Sequence, residues 1–219
     1  MRNTHVFLLL FFLFLFVNPL QAQQIYLENK IIPKNIENEA LRALEYFPKL
    51  YDTPIEFKFK KKIKKATMQA QPKIGSLLNR KENRKYVIYL SESIQIDDED
   101  FTISDIPSDV LVGWICHELG HIMDYQERSN LGMIIFGAKY LFSSKSIKRV
   151  ERTADMHAIS QGTGEYILKK KNFILENPLI SETYKERIRK LYISPDEVMS
   201  LLSEERIEDD YKFLEASSN

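Results

Sequence analysis

Two histidines four residues apart, His117 and His121, constrain this chain more than any other feature. They lie in Val110-Leu-Val-Gly-Trp-Ile-Cys-His117-Glu118-Leu-Gly-His121-Ile-Met-Asp124-Tyr125. Val110, Leu111, Trp114 and Ile115 give that run helical spacing, with Ser108 as the expected cap. At about 100° per residue, side chains four apart point within about 40° of each other, so both imidazoles leave one helix face. Stacked one turn apart, they can reach a single zinc ion at about 2.0–2.1 Å. Glu118 lies about 100° round the helix, off the ligand face. From there its carboxylate can take a proton from water activated by the metal and pass it to a leaving group. With only four His in the chain, chance is a poor source of this H-E-x-x-H pattern.

A hydrolytic zinc site takes three protein ligands and keeps one position open. The third can be a histidine or an acid. His157 is the one remaining downstream histidine, but Glu151-Arg-Thr-Ala154-Asp155 is better placed by pattern. If 147–160 is a helix, Glu151 and Asp155 stand one turn apart on one face. Glu151 then suits the metal, while Asp155 can accept the free N–H of a ligating histidine and fix its tautomer. An ordinary acidic pair on a solvated face is the competing reading.

The rest of the chain sets the context for that chemistry. Residues 1–22 read as a secretory signal: Arg2, then twelve apolar residues from Val6 to Val17, then Asn18-Pro19 and a small Ala22 before the cut. At about 1.5 Å per residue the run covers roughly 18 Å, short of a ~30 Å bilayer core, although an uncleaved anchor stays open. Removing Arg2 from the 31 Lys+Arg leaves 30 against 31 Asp+Glu, a formal charge of −1, which gives no global reason to expect nucleic acid as a partner. Cys116 is the one cysteine, so no intramolecular disulfide can form. The chemistry is therefore expected to be exported, periplasmic or secreted, in a single domain over 23–219.

Within that domain the periodicity predicts strands first and helices afterwards, an α+β fold. Ile36, Ala40, Ala43, Leu44 and Phe47 predict a helix over 35–47, capped by Asn35 and stopped by Pro48. Ile55, Phe57, Phe59 and Ile63 alternate with charged residues in a half-buried strand, and extended chain is expected at 66–71 and 74–78. Tyr86, Val87, Ile88 and Tyr89 mark the strongest strand. Six Lys lie within 58–65, either guarding a sheet edge or facing an anionic surface. The acidic run Asp97 to Asp100 is read as a solvated loop. Leu131 to Phe142 is too short to span a bilayer and reads as a buried helix, with a membrane-leaning or substrate-contacting flap as the alternative. Cys116 is expected to be a buried thiol.

His117-Glu-Leu-Gly-His121 followed by Glu151-x-x-Ala-Asp155 resembles the gluzincin metallopeptidases related to the CAAX prenyl proteases and the bacterial heat-shock membrane proteases. The resemblance covers roughly residues 85–200. It implies a zincin-like domain with a small antiparallel or mixed sheet, an active-site helix, a second ligand-bearing helix and C-terminal helices. It also implies Glu151 as third zinc ligand, Glu118 as catalytic base and Asp155 behind the ligands. Residues Tyr86, Val87, Ile88 and Tyr89 would form the edge strand that binds a peptide or protein substrate. Relatives commonly carry His-Pro-Pro before an Arg-Ile-x-x-Leu helix, whereas here Asn177-Pro178 precedes Arg187-Ile188-Arg189-Lys190-Leu191. The oxyanion-stabilising group is thus open among His157, Tyr184, Arg187 and Tyr192. The expectation is an exported zinc metallopeptidase. Its competitors are a zinc-stabilised binding protein without catalysis and a membrane-peripheral protein using the Lys58–Lys65 face.

Overall fold

The computed structural model describes residues 28–204, apart from 62, 64, 65, 97 and 98. The expected signal segment 1–22, together with Lys62, Lys64, Lys65, Asp97 and Asp98, lies outside the described residues. In chain order the first half holds β1 (Lys30–Ile31), α1 (Glu37–Glu45), β2 (Ile55–Lys60), β3 (Met68–Pro72), β4 (Tyr86–Ser91), β5 (Ser93–Ile96) and β6 (Glu99–Thr102). The second half is helical: α2 (Ser108–Glu127), α3 (Asn130–Phe142), α4 (Ser144–Ala158), α5 (Gly164–Glu176) and α6 (Glu182–Leu191), with 195–204 helical again. The fold class is α+β, as the order of periodicities predicts.

Four strands make one mixed sheet in the order β1-β2-β4-β3. β1 and β4 run parallel to β2, and β3 runs antiparallel to β4 with Ala70 opposite Ile88. β5 and β6 form a separate antiparallel pair. The apolar side of the first helix is buried as its spacing demands, with Ile36, Ala40, Ala43, Leu44 and Phe47 all fully enclosed. In β2, Ile55 and Phe57 are buried while Lys58 is exposed. β1 pairs only with Ile55 and Glu56, so the Lys58–Lys60 half of β2 has no strand on that flank among the described residues. Lysines there guard an edge.

Four local expectations are corrected. Glu99 and Asp100 of the acidic run pair in β6 with Ile96 and Gln95 instead of lying in a loop. Asn35 is no cap: residues 34–36 form a 3-10 turn, and Ile36 is the residue before α1. Residues 74–78 also form a 3-10 turn rather than extended chain. Ser108 opens α2 instead of capping it, because Pro107 holds the cap position; the Ser108 hydroxyl donates to Glu39 and accepts from Arg42.

α2 is the central pillar, buried continuously from Val110 to Tyr125. It packs against α1, α4, α5 and β3. Two glycines allow that crowding. A Cβ on Gly120 would lie 2.2 Å from the Ala154 carbonyl oxygen of α4, and one on Gly113 would lie 2.2 Å from the Tyr166 carbonyl oxygen of α5. Backbones this close leave no room for a side chain. At the far end of α2, buried Arg84 donates to the carbonyls of Tyr125 and Arg128 and to Asn130 Oδ1, fixing the turn into α3.

α3 departs from its expected burial. Met133 is buried, but Leu131, Ile134 and Ile135 are exposed. On its inner face Met133, Phe136, Gly137 and Tyr140 line a cavity of about 560 Å³. Among the described residues, no helix is long and apolar enough to cross a membrane.

Candidate metal centre

His117 and His121 lie side by side on α2, with ring centroids 4.7 Å apart. Glu151 on α4 reaches them: its Oε2 is 3.1 Å from His117 Nε2 and 3.4 Å from His121 Nε2. The close approach at Gly120 brings the two helices within this range. His117, His121 and Glu151 are all buried and each offers one ligand atom, all within 4.8 Å of one another. This buried group could hold a metal ion.

The donor set fits one on physical grounds. Asp155, one turn past Glu151, has Oδ1 2.9 Å from His117 Nδ1. An ionised carboxylate only accepts, so Nδ1 carries the proton and the Nε2 lone pair is turned toward Glu151. A lone pair facing a carboxylate oxygen at that range needs a proton or a cation between them. Tetrahedral ligands at about 2.0–2.1 Å from an ion stand about 3.3 Å apart. The observed separations of 3.1 and 3.4 Å lie on either side of that value.

The electrostatics agree. Burial opposes ionisation of Glu151, but the two imidazoles outweigh it and hold the carboxyl well below its ordinary range. Burial likewise works against a charged His121, yet Glu151, Glu118 and Asp124 raise its affinity for a proton above the usual histidine value. A site built to attract a proton between these groups also attracts a cation. The His121 ring stacks on Tyr125 at 5.9 Å, and its Nδ1 finds no hydrogen-bond partner among the described residues.

Behind His117 stands a denser arrangement than the sequence suggested. Asp155 is fully buried and receives Lys171 Nζ at 2.7 Å, Lys170 Nζ at 3.5 Å and the Ile193 N–H at 3.3 Å. Burial would raise the Asp155 pKa, but the two ammonium groups and His117 reverse that and hold it well below the normal carboxyl range. Burial also pulls the Lys171 ammonium down to about 8. On the other side, Tyr140 Oη donates to Glu151 Oε1 at 3.2 Å.

Glu118 faces the same cavity from its own side of α2 and accepts from the Ala70 N–H at 2.6 Å. Tyr125 Oη donates to the Ala70 carbonyl at 3.3 Å. Thr67 and Lys73 bond back toward β4, so the alternate residues Met68, Ala70 and Pro72 turn their backbone groups outward, toward α2. β3 is therefore the strand at the cavity.

This corrects the expectation for Tyr86, Val87, Ile88 and Tyr89. Their strand, β4, is bonded on both sides, to β2 and to β3, so no peptide can add to it, and none of the four lines the cavity. Of the oxyanion candidates, Tyr184, Arg187 and Tyr192 line the cavity; His157 does not. It lines a basic groove on the outer side of α4, 4.0 Å from Glu127. Cys116 is buried, as expected, and burial pushes its thiol up to about 12. Sequence reasoning missed Ala70, Tyr125, Tyr140, Lys170 and Lys171. A signal existed for Tyr125, four residues past His121, and for Tyr140, which follows Met133, Phe136 and Gly137 at helical spacing. No family model, no curated protein and no solved structure matches this chain.

Proposed function

We propose that this chain is a zinc-dependent peptidase of zincin-like architecture, similar to the gluzincins and exported by its leader. The observation that carries the reading is the convergence of His117, His121 and Glu151 in a cavity that Glu118 also faces. Two imidazoles with a carboxylate form a donor set suited to zinc, and three ligands leave a position for substrate chemistry. When bound there, the ion supplies a Lewis acid that acidifies water and polarises a carbonyl oxygen.

The chain's own groups do the rest. Asp155 holds the His117 proton on Nδ1 and so keeps Nε2 as a ligand atom. Glu118 takes the proton of the attacking water and returns it to the departing amine. Tyr184, Arg187 and Tyr192 offer donors to the developing oxyanion, in place of the family histidine. A peptide lying along the outward side of β3 would meet the backbone N–H and carbonyl of Met68 and the carbonyl of Pro72, while Ala70 keeps Glu118 at the strand's edge.

The test is metal analysis with cleavage of casein and a peptide library by the wild type, Glu118→Gln and His117→Ala. The wild type is expected to bind one zinc per chain and to cleave. Glu118→Gln should keep the zinc and lose about 10²–10⁴-fold in rate, whereas His117→Ala should lose the zinc. Equal rates in the wild type and Glu118→Gln would refute the mechanism. Zinc binding with no cleavage of any peptide would replace it with the non-catalytic binding protein.

A further inference from the structure

α3 and α4 each turn one face to the cavity, with Met133, Phe136 and Tyr140 from α3, and Ile147 and Glu151 from α4. Their opposite faces are turned away from it, on two consecutive helices joined by Ser143 alone. On α3 that side carries Leu131, Ile134 and Ile135, exposed by 66%, 64% and 46%. On α4 it carries exposed Lys145, Lys148 and Arg149, which lie in the basic groove that continues to Met156. The charge along this stretch is one-sided. From Arg128 to Val150 the chain has Arg128, Lys139, Lys145, Lys148 and Arg149 and no acid at all, in a protein whose charges balance over its whole length.

From this juxtaposition we infer that the outer side of α3 and α4 docks on an anionic lipid surface. Leu131, Ile134 and Ile135 enter the boundary between headgroups and acyl chains, and Lys145, Lys148 and Arg149 meet the phosphates. An apolar helix face exposed to water is costly unless something covers it, and apolar side chains flanked by cations are the composition that binds an anionic bilayer interface. A polypeptide partner would need apolar cover for α3 and several acids for α4. A bilayer supplies both from one continuous surface. The docking is independent of the peptidase reading, since none of these six side chains lines the cavity.

The test places a reporter in the surface itself. Ile134→Cys is labelled with a polarity-sensitive fluorophore in the full chain; Cys116 is fully buried and takes no label. The labelled protein is mixed with phosphatidylcholine vesicles that contain about one third phosphatidylglycerol, or none. A blue shift on the anionic vesicles only is expected, reversed by high salt. Reversing Lys145, Lys148 and Arg149 to Glu should weaken apparent binding on the order of 100-fold or more, from roughly fivefold per cation. No shift on anionic vesicles overturns the inference, as does an equal shift on uncharged ones or one that survives the charge reversal. A shift with reduced casein and none with vesicles would assign the face to a polypeptide instead. The reporter reads only position 134, so membrane insertion of the leader does not mimic the result.

Discussion

Asp155 shows how much one buried carboxylate can organise. It fixes the His117 tautomer on one side and pairs with two buried lysines on the other. Asp155→Asn keeps the shape but strips the charge, leaving Lys170 and Lys171 buried with no anion in contact among the described residues. The expected loss is about 3–5 kcal/mol in urea unfolding, with zinc affinity down about 10–100-fold by chelator competition. A variant with unchanged zinc affinity would show that the His117 contact is incidental to the site. The carboxylate was legible in the sequence because Glu151 and Asp155 share a helix face. The lysines were not. In α5, Ile167, Lys170, Lys171 and Ile174 are buried, and of the three consecutive lysines only Lys169 faces water. Helical periodicity finds apolar stripes; a stripe made half of lysine is visible only once its counter-charge, distant in the chain, is known.

At the scale of elements, the site depends on how closely α2 and α4 approach. Gly120→Ala would drive a methyl into the Ala154 carbonyl, which is 2.2 Å from the Cβ position, and part the helices that carry the ligands. Gly113→Ala makes an equal clash with Tyr166 on α5, away from Glu151. Both variants should lose about 1–3 kcal/mol or more of stability. Only Gly120→Ala should also weaken zinc binding, and equal affinities for the two would break the link between helix contact and ligand geometry. The same scale explains the misplaced strand. Alternation and β-propensity identify Tyr86 to Tyr89 as a strand, but they say nothing about its neighbours. Strand order depends on pairings across long separations, here β2 with β4 and β3 with β4. The edge therefore fell to Met68–Pro72, a segment of lower β-propensity with a proline at its end.

For the whole molecule, the balance of charge seen in composition conceals an uneven interior, and that predicts how stability follows pH. Lys30 is buried beside the carbonyls of Leu50, Tyr51 and Thr53, and burial pulls it down to about 8, as it does Lys171. In the unfolded chain both return to the ordinary lysine value of about 10.4. Between those values the unfolded chain holds more protons than the folded one, so stability rises with pH across that window; the penalty is complete below pH 8. Buried tyrosines act in the opposite sense. Burial raises Tyr125, Tyr184 and Tyr192 above their ordinary value, so near and above about pH 10 the unfolded chain loses protons that the folded one keeps, and stability falls. The metal-free protein should therefore be more stable at about pH 9.5 than at pH 8, by on the order of 2 kcal/mol in urea unfolding, and decline beyond about pH 10. Lys30→Met should flatten part of the rise and leave the decline in place. A urea midpoint that falls steadily from pH 8 would mean that Lys30 and Lys171 keep ordinary proton affinities in the folded chain, their burial offset by the carbonyls and by Asp155.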